Sequence, residues 1–308
     1  MPHVKGASKD GVILVNSNID FRGTVLGAGS PGYPPKRASR YFVDGLNGLD
    51  ARSGKSWAGA KKTIAAAITA MNATLDWTTT PWADSHILYI APGSYAENLT
   101  ALPYGCTIIG LGNPMSNSAG YGGVTIMPAT GAAVDVTSAL DGEIHNVCFR
   151  QVATAGAIFQ ADNFNGMWLN GCVFQGIPGA SPTSTRGFEV VKDMTRSRLT
   201  KCYFMQCKSG VYINTDNANS KQIISSLFED ITIHCADTAG FYFDINSNPA
   251  GVLINRCNVG DPSTTLALGL DDNTDQVAVA NSNFWATNND PAATGANYNN
   301  CYLNSTLL

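Results

Sequence analysis

Charge is scarce in this chain: Asp, Glu, Lys and Arg make up 14% of its 308 residues, and the net charge is −4. A nucleic-acid ligand would need a basic face or stripe, and none is present, so DNA and RNA are excluded as partners. Long apolar runs are missing too. No stretch approaches the roughly 20 residues of a membrane-spanning helix, so no membrane partner is expected. Met1-Pro2-His3-Val4-Lys5 is not followed by the apolar stretch of a secretory signal, which leads us to expect synthesis and folding in the cytoplasm. Histidine occurs four times, scattered, and only Cys202 and Cys207 among the cysteines lie close together without a His partner at matching spacing. No metal site, cofactor or catalytic group is assigned on these grounds.

What the chain does have is a repeat. Six segments begin on an aliphatic residue, carry a small residue three places on, and close two places later on an apolar one: Ile144 to Phe149, Leu169 to Phe174, Leu199 to Phe204, Ile223 to Phe228, Ile254 to Val259 and Val279 to Phe284. The middle position reads Val147, Cys172, Cys202, Ser226, Cys257, Ser282. The closing residues are 25, 30, 24, 31 and 25 positions apart, an interval that marks stacked structural units. A second segment follows: Gly156, Gly187, Gly210 and Gly240 each open a run with alternation of about two, which is strand patterning.

In the first segment the three-then-two spacing breaks alternation once, so the strand bends at a small polar pair such as Asn170-Gly171. One unit is then strand, bend, strand, loop, strand. Stacked about 4.8 Å apart, five steps give roughly 24 Å of parallel solenoid. The closing residues are expected in one interior column, the starters in a second, and the Val, Cys and Ser series in a tight corner. Cysteines there read as small apolar fillers. Cys172 and Cys202, on adjacent coils, also lie within the separation a disulfide tolerates.

Aligning the second segments on their glycines turns Phe188, Val211 and Phe241 inward and Glu189, Tyr212 and Tyr242 outward, with Asn214 and Asp244 extending that outer face. Aromatic rings beside carboxylates suit sugar stacking, and a pair such as Glu189 and Asp244, two coils apart, falls near the upper end of the 5 to 9.5 Å range of glycosidase carboxyls. A tyrosine ladder equally suits a subunit interface, which is the preferred reading. Asp271-Asp272-Asn273-Thr274-Asp275 offers oxygen ligands but reads as a solvated turn.

Residues 1 to 38 differ from the rest. They hold Gly11-Val12-Ile13-Leu14-Val15, then Ile19-Asp20-Phe21-Arg22, then a Pro/Gly-rich tether, too little for a core. This arm is expected to pack on the first coil of its own solenoid or on a neighbouring subunit. Residues 39 to 308 are assigned to the solenoid domain.

Tyr41-Phe42-Val43-Asp44-Gly45 through Asp50, Ser53-Gly54-Lys55-Ser56-Trp57, Lys62-Thr63-Ile64 through Ile68, and Ile90-Ala91-Pro92-Gly93-Ser94-Tyr95 resemble the entrance to pectate-lyase-like right-handed parallel β-helix proteins. The resemblance covers residues 41 to about 110. It implies an all-β, right-handed parallel β-helix whose open end is capped by a short helix over residues 61 to 73. That superfamily includes polysaccharide lyases, hydrolases, phage tailspikes and non-catalytic virion proteins. The lyases' calcium site and arginine base find no matching cluster here.

The expectation drawn from these readings is a non-enzymatic bacteriophage virion protein. It would be a homotrimer decorating the capsid or projecting from the tail, joined to other virion proteins through residues 1 to 38. The alternative is a tailspike-like hydrolase or lyase acting on host surface polysaccharide.

Overall fold

The fold was analysed in a computed structural model, which describes residues 39–75, 86–115, 122–151, 155–176, 184–213, 222–234, 239–243, 248–260, 266–272, 277–284, 286–288, 297–299, 301–303 and 306–307. The arm, residues 1 to 38, lies outside the described residues, as do Asn214 and Asp244. The chain is an all-β, right-handed parallel β-helix with one short helix among the described residues.

Three parallel sheets form its walls. The first, ten-stranded, runs from Arg40–Val43 through Ile87–Ile90, Thr107–Gly110, Glu143–His145, Trp168–Asn170 and Arg198–Thr200 to Asn297–Asn299. The second, also ten-stranded, runs from Gly93–Tyr95 to a terminal antiparallel pairing of Tyr302–Leu303 with Thr306–Leu307. The third carries the longest strands, Ala155–Asn165 and Ser184–Thr195, followed by Ser209–Ile213 and Ala239–Phe243.

The corner between the first and second sheets explains the three-then-two spacing. Asn146, Gly171, Lys201, Asp230, Arg256 and Asn281 all have left-handed backbone, with φ from 48° to 64°. A single left-handed residue resets the inward–outward parity of the strand. The next residue then turns inward, and the column behind the corner is Val147, Cys172, Cys202, Ile231, Cys257 and Ser282, each buried.

The fourth member of the sequence repeat is therefore displaced. Leu199 pairs with Phe228, not Ile223, and Phe204 pairs with Ile233, not Phe228. Ile223 and Ser226 belong to the other corner, between the third and first sheets, where Asp141, Gly166, Arg196, Ser225 and Gly251 are left-handed. The same kink at both corners produces the same spacing, so one matched in place of the other. With Ile233 restored, the closing column runs Phe149, Phe174, Phe204, Ile233, Val259, Phe284.

The core along this column is aromatic. Phe174 lies parallel to Phe204 at 4.5 Å and 7°, and against Phe149 at 5.5 Å and 26°. Phe159 and Phe188, from the third sheet, meet Phe174 edge-on at 6.3 Å each. Edge-to-face and offset contacts of this kind add to the apolar area buried.

The corner cysteines are thiols. Cys172 donates to the Ile144 carbonyl at 3.5 Å and Cys202 to the Leu169 carbonyl at 3.7 Å, each one coil back. At the other corner Ser197 makes the matching bond to the Phe164 carbonyl at 2.8 Å. A small residue with one hydrogen to donate suits either corner, which is why Cys and Ser both recur there, beside the aliphatic Val147 and Ile231. The seven described cysteines are all buried, and Cys172 and Cys202 are both thiols, so the geometrically allowed Cys172–Cys202 disulfide is not formed. Burial pushes the Cys202 thiol well up and that of Cys257 to about 12, and thiols held protonated are poor nucleophiles. We expect these seven to resist a thiol reagent in the native protein and to react on denaturation. Rapid native-state labelling of Cys172 or Cys202 would contradict the burial.

The helix Ile64–Asn72 closes the open end, within the expected span of 61 to 73. Thr63 caps it through its hydroxyl, accepting from the Ala66 N–H, while the Glu97 carboxylate accepts the N–H groups of Ile64 and Ala65 at 2.8 Å. An anion at a helix start satisfies donors that the helix leaves open. Ile64, Ala67, Ile68 and Met71 face the core.

Candidate functional site

The expected outer face of the third sheet forms in register but not as an open platform. Phe188 pairs with Val211 and then Phe241 inside, and Glu189 with Tyr212 and then Tyr242 outside. Tyr212 and Tyr242 stack at 4.4 Å and 4°, and the Arg186 guanidinium lies 4.0 Å over the other face of Tyr212. The faces of Tyr212 are thus used within the column, leaving no surface there for a sugar ring. Glu189, expected to look out at solvent, is 4% exposed and ion-paired with Arg186. Neither Asn214 nor Asp244 adds to this picture, since both fall outside the described residues.

The first sheet presents a different outer surface. Residues on either side of the inward starters project outward, and on three consecutive coils these are Glu143 and His145, Trp168 and Asn170, Arg198 and Thr200. Register places Glu143, Trp168 and Arg198 in one row. Hydrogen bonds connect the coils. The indole N–H of Trp168 donates to the Thr200 hydroxyl at 2.7 Å, and that hydroxyl donates to Asn170 Oδ1 at 3.0 Å. Asn170 Nδ2 lies 3.2 Å from His145 Nδ1, and His145 Nε2 lies 2.9 Å from Glu143 Oε2. The His145 and Trp168 rings meet at 5.3 Å and 76°.

Burial varies along the group. Thr200 is 8% exposed, the His145 side chain 17%, and the Glu143 side chain 44%. The arrangement therefore has a fixed interior and an accessible carboxylate at its end. Chemically it combines an acid–base group, an aromatic surface and, in Arg198, a cation one coil from the indole.

Sequence reading assigned no role to His145 or Glu143. The signal was nevertheless in the repeat: the positions before and after each starter residue are outward ones, and these hold acid, imidazole, indole, amide, guanidinium and hydroxyl. No group of metal-ligating side chains occurs among the described residues.

No family model matches the sequence, and no curated protein matches it. Solved structures do. A pectin methylesterase from Aspergillus niger superposes with a TM-score of 0.53 at 17% identity over 88% of each chain. Pectin methylesterase PemA from Erwinia chrysanthemi gives a TM-score of 0.45 at 14% identity, covering 87% of this chain and 81% of its own. At such identities the likeness is one of fold, the pectate-lyase-like right-handed β-helix expected from residues 41 to 110. The expected virion role gains no support from these structures.

Proposed function

We propose that this chain is a polysaccharide-acting β-helix protein whose site is the outer face of the first sheet around Glu143, His145, Trp168, Asn170, Arg198 and Thr200. The observation that carries this reading is the row Glu143–Trp168–Arg198 on adjacent coils. An indole offers the apolar face of a sugar ring a surface, the carboxylate beside it accepts a proton, and the guanidinium neutralises developing negative charge. The solved relatives, named as pectin methylesterases, also point to a glycan polymer rather than to a scaffold.

Reaction class follows from charge placement. Glu229, the next outward acid on this sheet, stands three coils from Glu143, about 14 Å along the axis. That exceeds the separation of carboxyl pairs in glycoside hydrolysis. A single base suits proton removal with loss of the glycosidic oxygen, or activation of water against an ester. The test is the full chain incubated with a panel of neutral, acidic and esterified polysaccharides, assayed for reducing ends, unsaturated ends and released acid or alcohol. Product from one polymer class is expected. Absence of product from every polymer would return the scaffold to first place.

A further inference from the structure

With the Asn170 amide oriented as in the structure, the hydrogen bonds behind Glu143 run one way. Indole N–H donates and cannot accept, so the Thr200 hydroxyl accepts from Trp168, and it donates its own hydrogen to Asn170 Oδ1. With Oδ1 accepting, the other end of the Asn170 amide is NH₂, which donates to His145 Nδ1. An imidazole whose Nδ1 accepts carries its hydrogen on Nε2, and that N–H points to Glu143 Oε2. At the far end an ionised carboxylate only accepts.

We propose that Trp168, Thr200, Asn170, His145 and Glu143 form a one-way relay that holds His145 as the neutral Nε2–H tautomer and aims Glu143 as the proton-accepting carboxylate. Thr200 and Asn170 are then positioning residues, acting through His145. The proposal deepens the polysaccharide-acting reading of the same site and rests on it for the role of Glu143, but the tautomer does not depend on any substrate.

The geometry favours this arrangement over a set of independent surface contacts. Three of the four links join residues 25 to 32 apart in sequence, across three coils, and the fourth, His145 to Glu143, lies within one strand. The interior hydroxyl, on Thr200, is buried, where an unpaired polar atom would be costly. Both partners of Thr200 sit on the neighbouring coil, so the solenoid's own register sets the relay. In catalysis the proton leaves the substrate and ends on a Glu143 oxygen. Nothing is transferred along the relay, which keeps its orientation before and after.

Two readouts test this. Long-range proton–nitrogen spectra of the full chain at about pH 8, above the ordinary imidazole range, with His145 assigned through His145→Gln, should show the Nε2–H tautomer. Thr200→Val removes the donor to Asn170 while keeping side-chain size, and should convert His145 to a mixture of tautomers. Thr200→Ser should restore the single form. An Nδ1–H tautomer in the natural protein, or an unaltered spectrum in a folded Thr200→Val variant, would overturn the relay. The second readout is kinetic, on whichever polymer the panel identifies: Thr200→Val should lower kcat about tenfold with KM unchanged, and Thr200→Ser should recover it. A tautomer lost with kcat intact would remove the positioning role. A relay present in a protein that turns over no glycan would overturn the catalytic reading alone.

Discussion

Phe174→Ala is expected to cost about 3 to 5 kcal/mol of stability, the range measured for removing a buried phenylalanine. Phe174 is 0% exposed and lies within a five-ring cluster, parallel to Phe149 and Phe204 and edge-on to Phe159 and Phe188. The cavity cannot close by moving the walls together. Its strand, Val173–Gln175, is hydrogen-bonded in register to the coils on both sides, and a shift toward the void would break both ladders. Phe284→Ala removes a ring of the same size near the carboxyl end of the column, where the register neighbours on the two sides are the aliphatic Val259 and Leu303. It should cost less. Denaturant unfolding of the two variants checks the comparison, and a smaller loss for Phe174→Ala than for Phe284→Ala would contradict the picture of a central aromatic core.

The second large effect is on turnover. Glu143→Gln keeps the shape of the side chain and an oxygen for the His145 N–H, but it removes the basic carboxylate. A positioned base contributes on the order of 10² to 10⁴ in rate, so kcat should fall by that factor while KM changes little. Stability should stay within about 0.5 kcal/mol, as is usual for surface substitutions, because the side chain is 44% exposed. The pairing of a large kinetic loss with an unchanged unfolding midpoint is the signature to look for. Progress curves and a melting curve on the same preparation supply both numbers, and equal loss of rate and stability would assign Glu143 a structural role instead.

Much of the solenoid could be read directly from the residues. The Phe149, Phe174, Phe204 column and the inward Phe188, Val211 and Phe241 follow from spacing and parity, and the capping helix from the resemblance carried by residues 41 to about 110. The misplaced Ile223 to Phe228 segment has a physical cause. Both corners use one left-handed residue, so both carry a three-then-two spacing, and pattern alone cannot tell one corner from the other. Only the regularity of the intervals distinguishes them, since Phe228 and Ile233 lie nearer the expected repeat positions than Ile223 and Phe228.

The outer faces were harder to read, for two different reasons. On the third sheet, parity placed Glu189, Tyr212 and Tyr242 correctly in one ladder but said nothing of Arg186. Strict alternation sets a residue three places before Glu189 on the opposite face, yet the two form an ion pair and Arg186 also covers Tyr212. The alternation breaks at Gly187, where an added Cβ would meet the interior Phe204, so Arg186 shares the outer face with Glu189, and a face expected to be open is occupied. On the first sheet, Glu143, His145, Trp168, Asn170 and Thr200 look like ordinary solvated strand residues one at a time. Three of their four hydrogen bonds span 25 to 32 positions of sequence, and the group acquires meaning only when the coils are stacked.

The most direct measurement is a crystal structure of Glu143→Gln soaked with a fragment of the polymer that the natural chain cleaves or de-esterifies. A sugar ring seated over Trp168, with its reacting atom beside residue 143 and Arg198 on the other side, is the expected result. Density for the glycan along the Arg186–Tyr212–Tyr242 face, with the first sheet bare, would contradict it.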